Sequence, residues 1–202
     1  MLKRSLFLIV SIVAIAVSCK EKETEKSKTE TTEKSIPADT LKIRIDNRKD
    51  SMNTAWKKMM DADDQKFADI KRLLQEVTFT KSFNPVEINK LNALADSVKG
   101  SRYTAENMTS EKIDNYDKAT ENLISQVYAV VQKNPEMPAH SITETLIQDI
   151  SKAENEVVNH RIVYDRWAKE YNHLLDTQKS ALQQLGEPYS SYQKRPLFEL
   201  PS

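Results

Sequence analysis

Glycine is nearly missing from this sequence. The 202 residues hold two, Gly100 and Gly186, alongside seven prolines. An all-β chain of this length turns often and draws on glycine at its tight turns, so the shortage leans away from that class and toward long helices. It also excludes glycine-rich phosphate loops. Cysteine is limited to Cys19, close behind the N-terminus, so a thiol nucleophile or a cysteine-based metal site has no residue to use in the body of the chain. An excess of one charge is absent too. The 30 acidic residues meet 30 basic ones, or 28 once Lys3 and Arg4 of a leader are set aside. A mixed surface of this kind gives no electrostatic case for nucleic acid.

A leader is present. Lys3 and Arg4 precede a 12-residue apolar run, Leu6 to Val17, which is short for a bilayer span and suits the core of an export signal. The run ends in Ala16-Val17-Ser18-Cys19, which resembles a bacterial lipobox. A lone thiol in an exported chain is anomalous unless it is modified, and a lipid on Cys19 removes the anomaly. An ordinary signal peptide or an uncleaved anchor, with an incidental cysteine, is the plainer alternative. Lys20 stands where an Asp would retain a lipoprotein in the inner membrane, so the outer membrane is the expected location. Lys20 to Ser35 then carries five Lys and five Glu among Ser and Thr. Such a segment cannot bury apolar area and is expected to be a disordered tether with a reach of roughly 20–25 Å.

The rest of the chain reads as helices. A short apolar alternation, Leu41, Ile43, Ile45, is expected to precede a first helix over about Asp46 to Thr78, with Met52, Trp56, Met59, Phe67, Ile70, Leu74 and Val77 on one face and Asp63 among them. Asn84-Pro85-Val86-Glu87 is a helix start and Gly100 a helix end. Thr109 or Ser110 can cap a third helix that Pro135 and Pro138 close. The last and longest, about 141–185, shows apolar steps of 4 and 3 from Leu146 through Ile150, Ala153, Val157, His160, Tyr164, Trp167, Tyr171, Leu174 and Gln178. At 1.5 Å per residue it would be about 65 Å long, so the other segments must pack on it. The expected fold class is all-α, an antiparallel four-helix bundle. The tail with Tyr189, Tyr192, Leu197, Phe198 and Leu200 is expected to fold back over an apolar end of it.

One polar row interrupts the apolar surface of the last helix. Glu154, Arg161, Asp165 and Asn172 lie within about 20° of one line on a helical wheel. Val157 and Leu175 flank the row on one side and Val158 and Ile162 on the other, so its members need partners. Arg161 and Asp165 can pair along the helix, and Asp63 on the first helix can meet the row across the interface. The plain reading is a network that fixes helix register. The functional one is a pocket for a ligand. Metal chemistry finds little support. Glu170-Tyr171-Asn172-His173 is a single Glu-x-x-His where a carboxylate-bridged pair needs two, and His160 has no second ligand at suitable spacing. No metal, cofactor or catalytic residue is expected.

Several blocks carry a resemblance. Ala153-Glu154-Asn155-Glu156-Val157, Arg161, Tyr164-Asp165 and Tyr171-Asn172 on the last helix, Asn134-Pro135-Glu136-Met137 ahead of it, Ala55-Trp56 with Ile70, Leu73, Leu74, Glu76 and Val77 on the first, and Arg195-Pro196-Leu197-Phe198-Glu199 at the end resemble, in order, the pattern of the LemA family. Ala153, Asp165 and Lys71-Arg72 depart from it. The resemblance covers about residues 45–200 and is thin over 79–110. It implies a helical, exported or membrane-anchored domain and no catalytic residues.

The expected organisation is a lipoprotein signal peptide over 1–18, a lipidated cysteine and charged tether over 19–38, and a helical domain with its tail over 39–202. The expected role is non-enzymatic: interaction or scaffolding in the bacterial cell envelope, anchored through Cys19 and meeting an envelope protein. The alternative is a small-ligand sensor that uses the polar row.

Overall fold

The computed structural model describes residues 36–198. The expected leader, Cys19 and the tether up to Ser35 lie outside the described residues, as does Leu200. Within them every regular element is helical: α1 (Ala38–Thr78), α2 (Pro85–Gly100), α3 (Ser110–Lys133), α4 (Thr143–Thr177) and α5 (Lys179–Leu185), with 3-10 turns at Met137–Ala139 and Tyr189–Ser191.

Helix α1 begins earlier than expected. Leu41, Ile43 and Ile45 form no extended stretch but the first turns of the helix. Leu41 and Ile45, four residues apart, are fully buried, and Ile43 is 62% exposed. Three apolar residues at a spacing of two fit either period; burial of the i, i+4 pair settles it as helical. With 41 residues, α1 is about 60 Å long.

The long C-terminal helix is divided. Gln178, buried on the core seam, has φ −112° and ψ 23°, outside the helical region. Its N–H still reaches the Leu174 carbonyl at 3.0 Å and its own carbonyl accepts from Leu182 at 2.9 Å. The bend therefore re-aims α5 at little cost in backbone hydrogen bonds. Gly186, at φ 69°, ends α5 in the left-handed region that favours glycine.

Helices α1 and α4 form the principal pair. Arg48 meets Glu170 at 3.1 Å near one end and Glu76 meets His140 at 3.5 Å near the other, so they run antiparallel. The Lys99–Asp64 pair at 3.1 Å and the Lys71–Asp96 pair set α2 antiparallel to α1. Tyr116 to Asp63 and Asn134 to Thr80 set α3 parallel to α1. Helices α2 and α3 thus cover the second half of α1. Along its first half the C-terminal tail takes their place, with Tyr189 bonded to Asp46 at 2.9 Å. The tail was expected over an end of the helices. Instead it lies along their side, because Phe198 is drawn into the middle of the core at 6% exposure.

The capping signals act as expected at two helices. Asn84 Oδ1 accepts the N–H of Val86 at 3.0 Å and of Glu87 at 3.5 Å, and Thr109 Oγ1 accepts that of Lys112 at 3.3 Å. Helix α4 has no side-chain cap, although Ser141 and Thr143 stand at its start. The cap position is Ile142, and the Thr143 hydroxyl donates to the Met137 carbonyl at 3.3 Å.

Candidate functional site

The polar row occupies the junction where α4 meets α1, α3 and the tail. Its flanks differ. Val157 is buried and Leu175 half-buried, but Val158 and Ile162 are 45% and 51% exposed. The row therefore runs along the edge of the core, with solvent on its second side.

Arg161, 5% exposed, is held across the interface. Its Nη1 and Nη2 donate to the two oxygens of Asp117 on α3 at 2.6 and 2.7 Å, and Nη2 also reaches the Tyr103 hydroxyl at 2.9 Å. Two parallel bonds to one carboxylate are the strongest geometry a guanidinium offers. Burial works against its charge, and Asp117 and Tyr103 more than restore it, so its proton is held more tightly than usual. The same guanidinium lies 5.2 Å from the ring centre of Phe198.

Asp165 and Asn172 hold the tail. Asp165 Oδ1 accepts the Phe198 N–H at 2.8 Å. Asn172 makes a two-way clasp on the Arg195 backbone, accepting its N–H at 2.8 Å and donating to its carbonyl at 2.7 Å. Glu154 is half-buried. Burial raises its pKa, and nearby Lys66 and Glu121 pull in opposite directions.

Asp63, 1% exposed, anchors a second cluster instead of joining the row directly. Its carboxylate meets Lys66 at 2.9 Å and Arg102 at 2.7 Å and accepts from the Tyr116 hydroxyl. Burial opposes its charge, but these donors outweigh burial and leave its pKa lowered. Arg102 extends the cluster to Asp64 at 2.9 Å. The two clusters touch through rings, since Tyr103 meets Tyr116 edge-on at 5.7 Å.

Aromatic rings fill the centre. Phe198 lies 6.0 Å from Trp56, 6.0 Å from Tyr103 and 5.5 Å from Tyr164. Burial pushes the phenols of Tyr103 and Tyr164 up to about 12, so both stay neutral at ordinary pH. Among the described residues, the hydroxyl of Tyr164 has no hydrogen-bond partner.

The structure thus gives Arg161, Asp165, Asn172 and Asp63 different hydrogen-bond partners, and Glu154 feels Lys66 and Glu121 only through their charge. Sequence reasoning missed Asp117, Tyr103, Arg102 and Lys66. Lys66 carried a usable signal, since it lies three residues from Asp63 on the same helical face. Tyr103 and Arg102 sit in the polar connection between α2 and α3, where no periodicity marks them.

The second clasp lies at the far end of α1. The Asn134 side chain donates to the Thr80 hydroxyl at 2.7 Å and to the Ser82 carbonyl at 3.3 Å, and Glu136 accepts the Lys81 N–H at 3.1 Å. These bonds fix the connection between α1 and α2, which leaves Phe79 63%, Phe83 37% and Val86 75% exposed.

No group of acidic, histidine or cysteine side chains suited to a metal ion occurs among the described residues. None of their helices is long and apolar enough to cross a membrane. No curated protein and no solved structure matches the chain. The family model of the LemA family matches residues 57–202, well over half of the chain. The match takes in both polar clusters and the tail and begins just past Trp56. On that match, the chain belongs to the LemA family.

Proposed function

We propose that the protein is a lipid-anchored interaction module of the bacterial cell envelope, without an enzymatic role. Its helical bundle would be carried on a lipid at Cys19, in the outer membrane, and would bind an envelope protein. The sequence supports the anchor through its leader, lipobox-like Ala16-Val17-Ser18-Cys19 and charged spacer. The observation that carries the interaction reading is the apolar tip. Phe79 and Phe83 are exposed on a connection that Asn134 and Glu136 hold in place, and Val86 in the first turn of α2 beside it, about 60 Å along α1 from Ala38. An ordered loop with exposed aromatic side chains suits a docking end better than a solvated turn.

The sensor reading of the polar row gains no such support. Arg161, Asp165 and Asn172 each hold another part of the same chain, so a ligand there would have to displace Asp117 or the tail.

The test is site-specific photo-crosslinking in cells, with the crosslinker at Val86 or, as control, at exposed Lys152. The expected result is a discrete adduct from position 86 alone, lost when Phe79 and Phe83 are changed to Ser. A lipid adduct, or equal labelling from both positions, overturns the docking reading. Mass spectrometry of the mature N-terminus should find an acylated Cys19, and Cys19→Ala should release the protein from the membrane fraction. An unlipidated, soluble wild-type protein overturns the anchor.

A further inference from the structure

A cavity of about 300 Å³ lies between α1, the α2–α3 connection, α4 and the tail. It meets the polar row at Arg195, whose backbone Asn172 holds, and its lining is unusual. Trp56 and Tyr164, edge to face at 5.6 Å, form an aromatic wall with Met52 and Asn53 beside it. Thr104, Ala105, Glu106 and Arg195 complete the lining, and the last two touch each other at 3.5 Å.

One buried polar group of this lining lacks a hydrogen bond. Tyr164 is 2% exposed, and its hydroxyl has no partner among the described residues. Leaving a buried hydroxyl in that state costs about 1–3 kcal/mol. Arg195 offers a five-donor fork. Asn172 holds only its backbone, and its side chain has a single long contact with Glu106, itself 71% exposed. A buried phenol O–H and a guanidinium fork line the same cavity, so an occupant that carries acceptors would satisfy both. A volume near 300 Å³ is at the small end of organic-ligand sites.

We propose that this cavity binds a small organic carboxylate with a flat, apolar body. The carboxylate takes the Arg195 fork in place of Glu106, the Tyr164 hydroxyl donates to the ligand, and the body lies against Trp56. A cationic ligand would also suit an aromatic wall beside Glu106, but the charge of Arg195 opposes it. The site goes beyond the docking role of the tip. It also couples to the tail, because Arg195 is clasped by Asn172 three residues before Phe198.

Trp56 and Trp167 are the two tryptophans of the chain, so Trp167→Phe leaves Trp56 as the reporter. The probes are phenylacetate, neutral phenylacetamide and benzyltrimethylammonium, added to the full-length protein. Calorimetry on the unsubstituted chain provides a second readout. Phenylacetate should produce a saturable change in Trp56 emission with a Kd under about 1 mM. Tyr164→Phe and Arg195→Gln should each weaken it by about tenfold or more, a difference of about 1.4 kcal/mol, while Tyr164→Phe leaves the melting temperature unchanged or higher. Failure of phenylacetate to saturate by either readout, equal binding of the amide or the ammonium probe, or affinity unaffected by both substitutions overturns the proposal.

Discussion

Asp165 on α4 accepts the backbone N–H of Phe198, 33 residues further along the chain, at 2.8 Å. The bond fixes the one tail residue whose ring meets Trp56, Tyr103 and Tyr164 together. It makes the tail a structural part of the core and not an appendage. Phe198→Ala should therefore destabilise the fold by about 3–5 kcal/mol, as a large buried aromatic does. Asp165→Ala should cost about 1–3 kcal/mol through the N–H it leaves behind. Urea denaturation measures both, and trypsin cleavage after Lys194 should accelerate in both. An unchanged cleavage rate with Asp165→Ala would show that the rings alone hold the tail.

The Asp63 cluster should respond more sharply than the Arg161 pair. Lys66 is 4% exposed and Asp63 1%, so Asp63→Ala strands a buried ammonium and should cost about 3–5 kcal/mol. Asp117 is 44% exposed and can rehydrate when its partner leaves. Arg161→Leu should then cost only about 1–3 kcal/mol, chiefly from the Tyr103 hydroxyl it leaves buried. Chemical denaturation of the two variants decides the order. Asp63→Leu combined with Lys66→Met should recover most of the loss.

The same carboxylate sets the response to acid. The pKa of Asp63 is lowered below 3.8 in the folded state, so its stabilisation is present above the unfolded value and is lost as pH falls through the folded one. Melting temperature should decline below about pH 4, and Asp63→Asn should flatten that decline.

Glu154 has the opposite sign. Its folded pKa is raised from 4.5 by burial, so the ionised form opposes folding at neutral pH and the opposition fades as the group protonates. Glu154→Gln should raise the melting temperature at pH 7 and make no difference below about pH 4. A drop at pH 7 would mean that the attraction between Glu154 and Lys66 outweighs burial.

The helices were legible in the sequence for a physical reason: their faces repeat. Ile150, Val157, Tyr164 and Tyr171 lie at heptad spacing and are all buried, and a repeat sustained over many turns leaves little ambiguity. Leu41, Ile43 and Ile45 were misread because three residues do not distinguish the two periods. The division at Gln178 was hidden because the residue occupies a seam position and breaks no pattern of spacing. At the polar row, periodicity identified members that share a line on α4 but could not find their partners. Asp117, Tyr103 and Arg102 lie 44, 58 and 39 residues from the groups they bond, and pairing at that range is set by how the helices dock. The motif residues show the same limit. Asn134, Glu136, Asn172 and Arg195 were visible as a pattern, but their work at the joints between elements appeared only in three dimensions.

The place of Phe198 has a consequence for the order of events in the life of the chain. Its ring completes a centre whose other walls come from α1, the α2–α3 connection and α4. A ribosome or translocation channel releases those walls first and must deliver residue 198 before the centre can close. Until then Trp56, Tyr103 and Tyr164 lack their common neighbour, and the nascent chain holds an unfinished, loosely packed interior. Closure of this centre thus waits on residue 198, however early the helices that form its other walls are made.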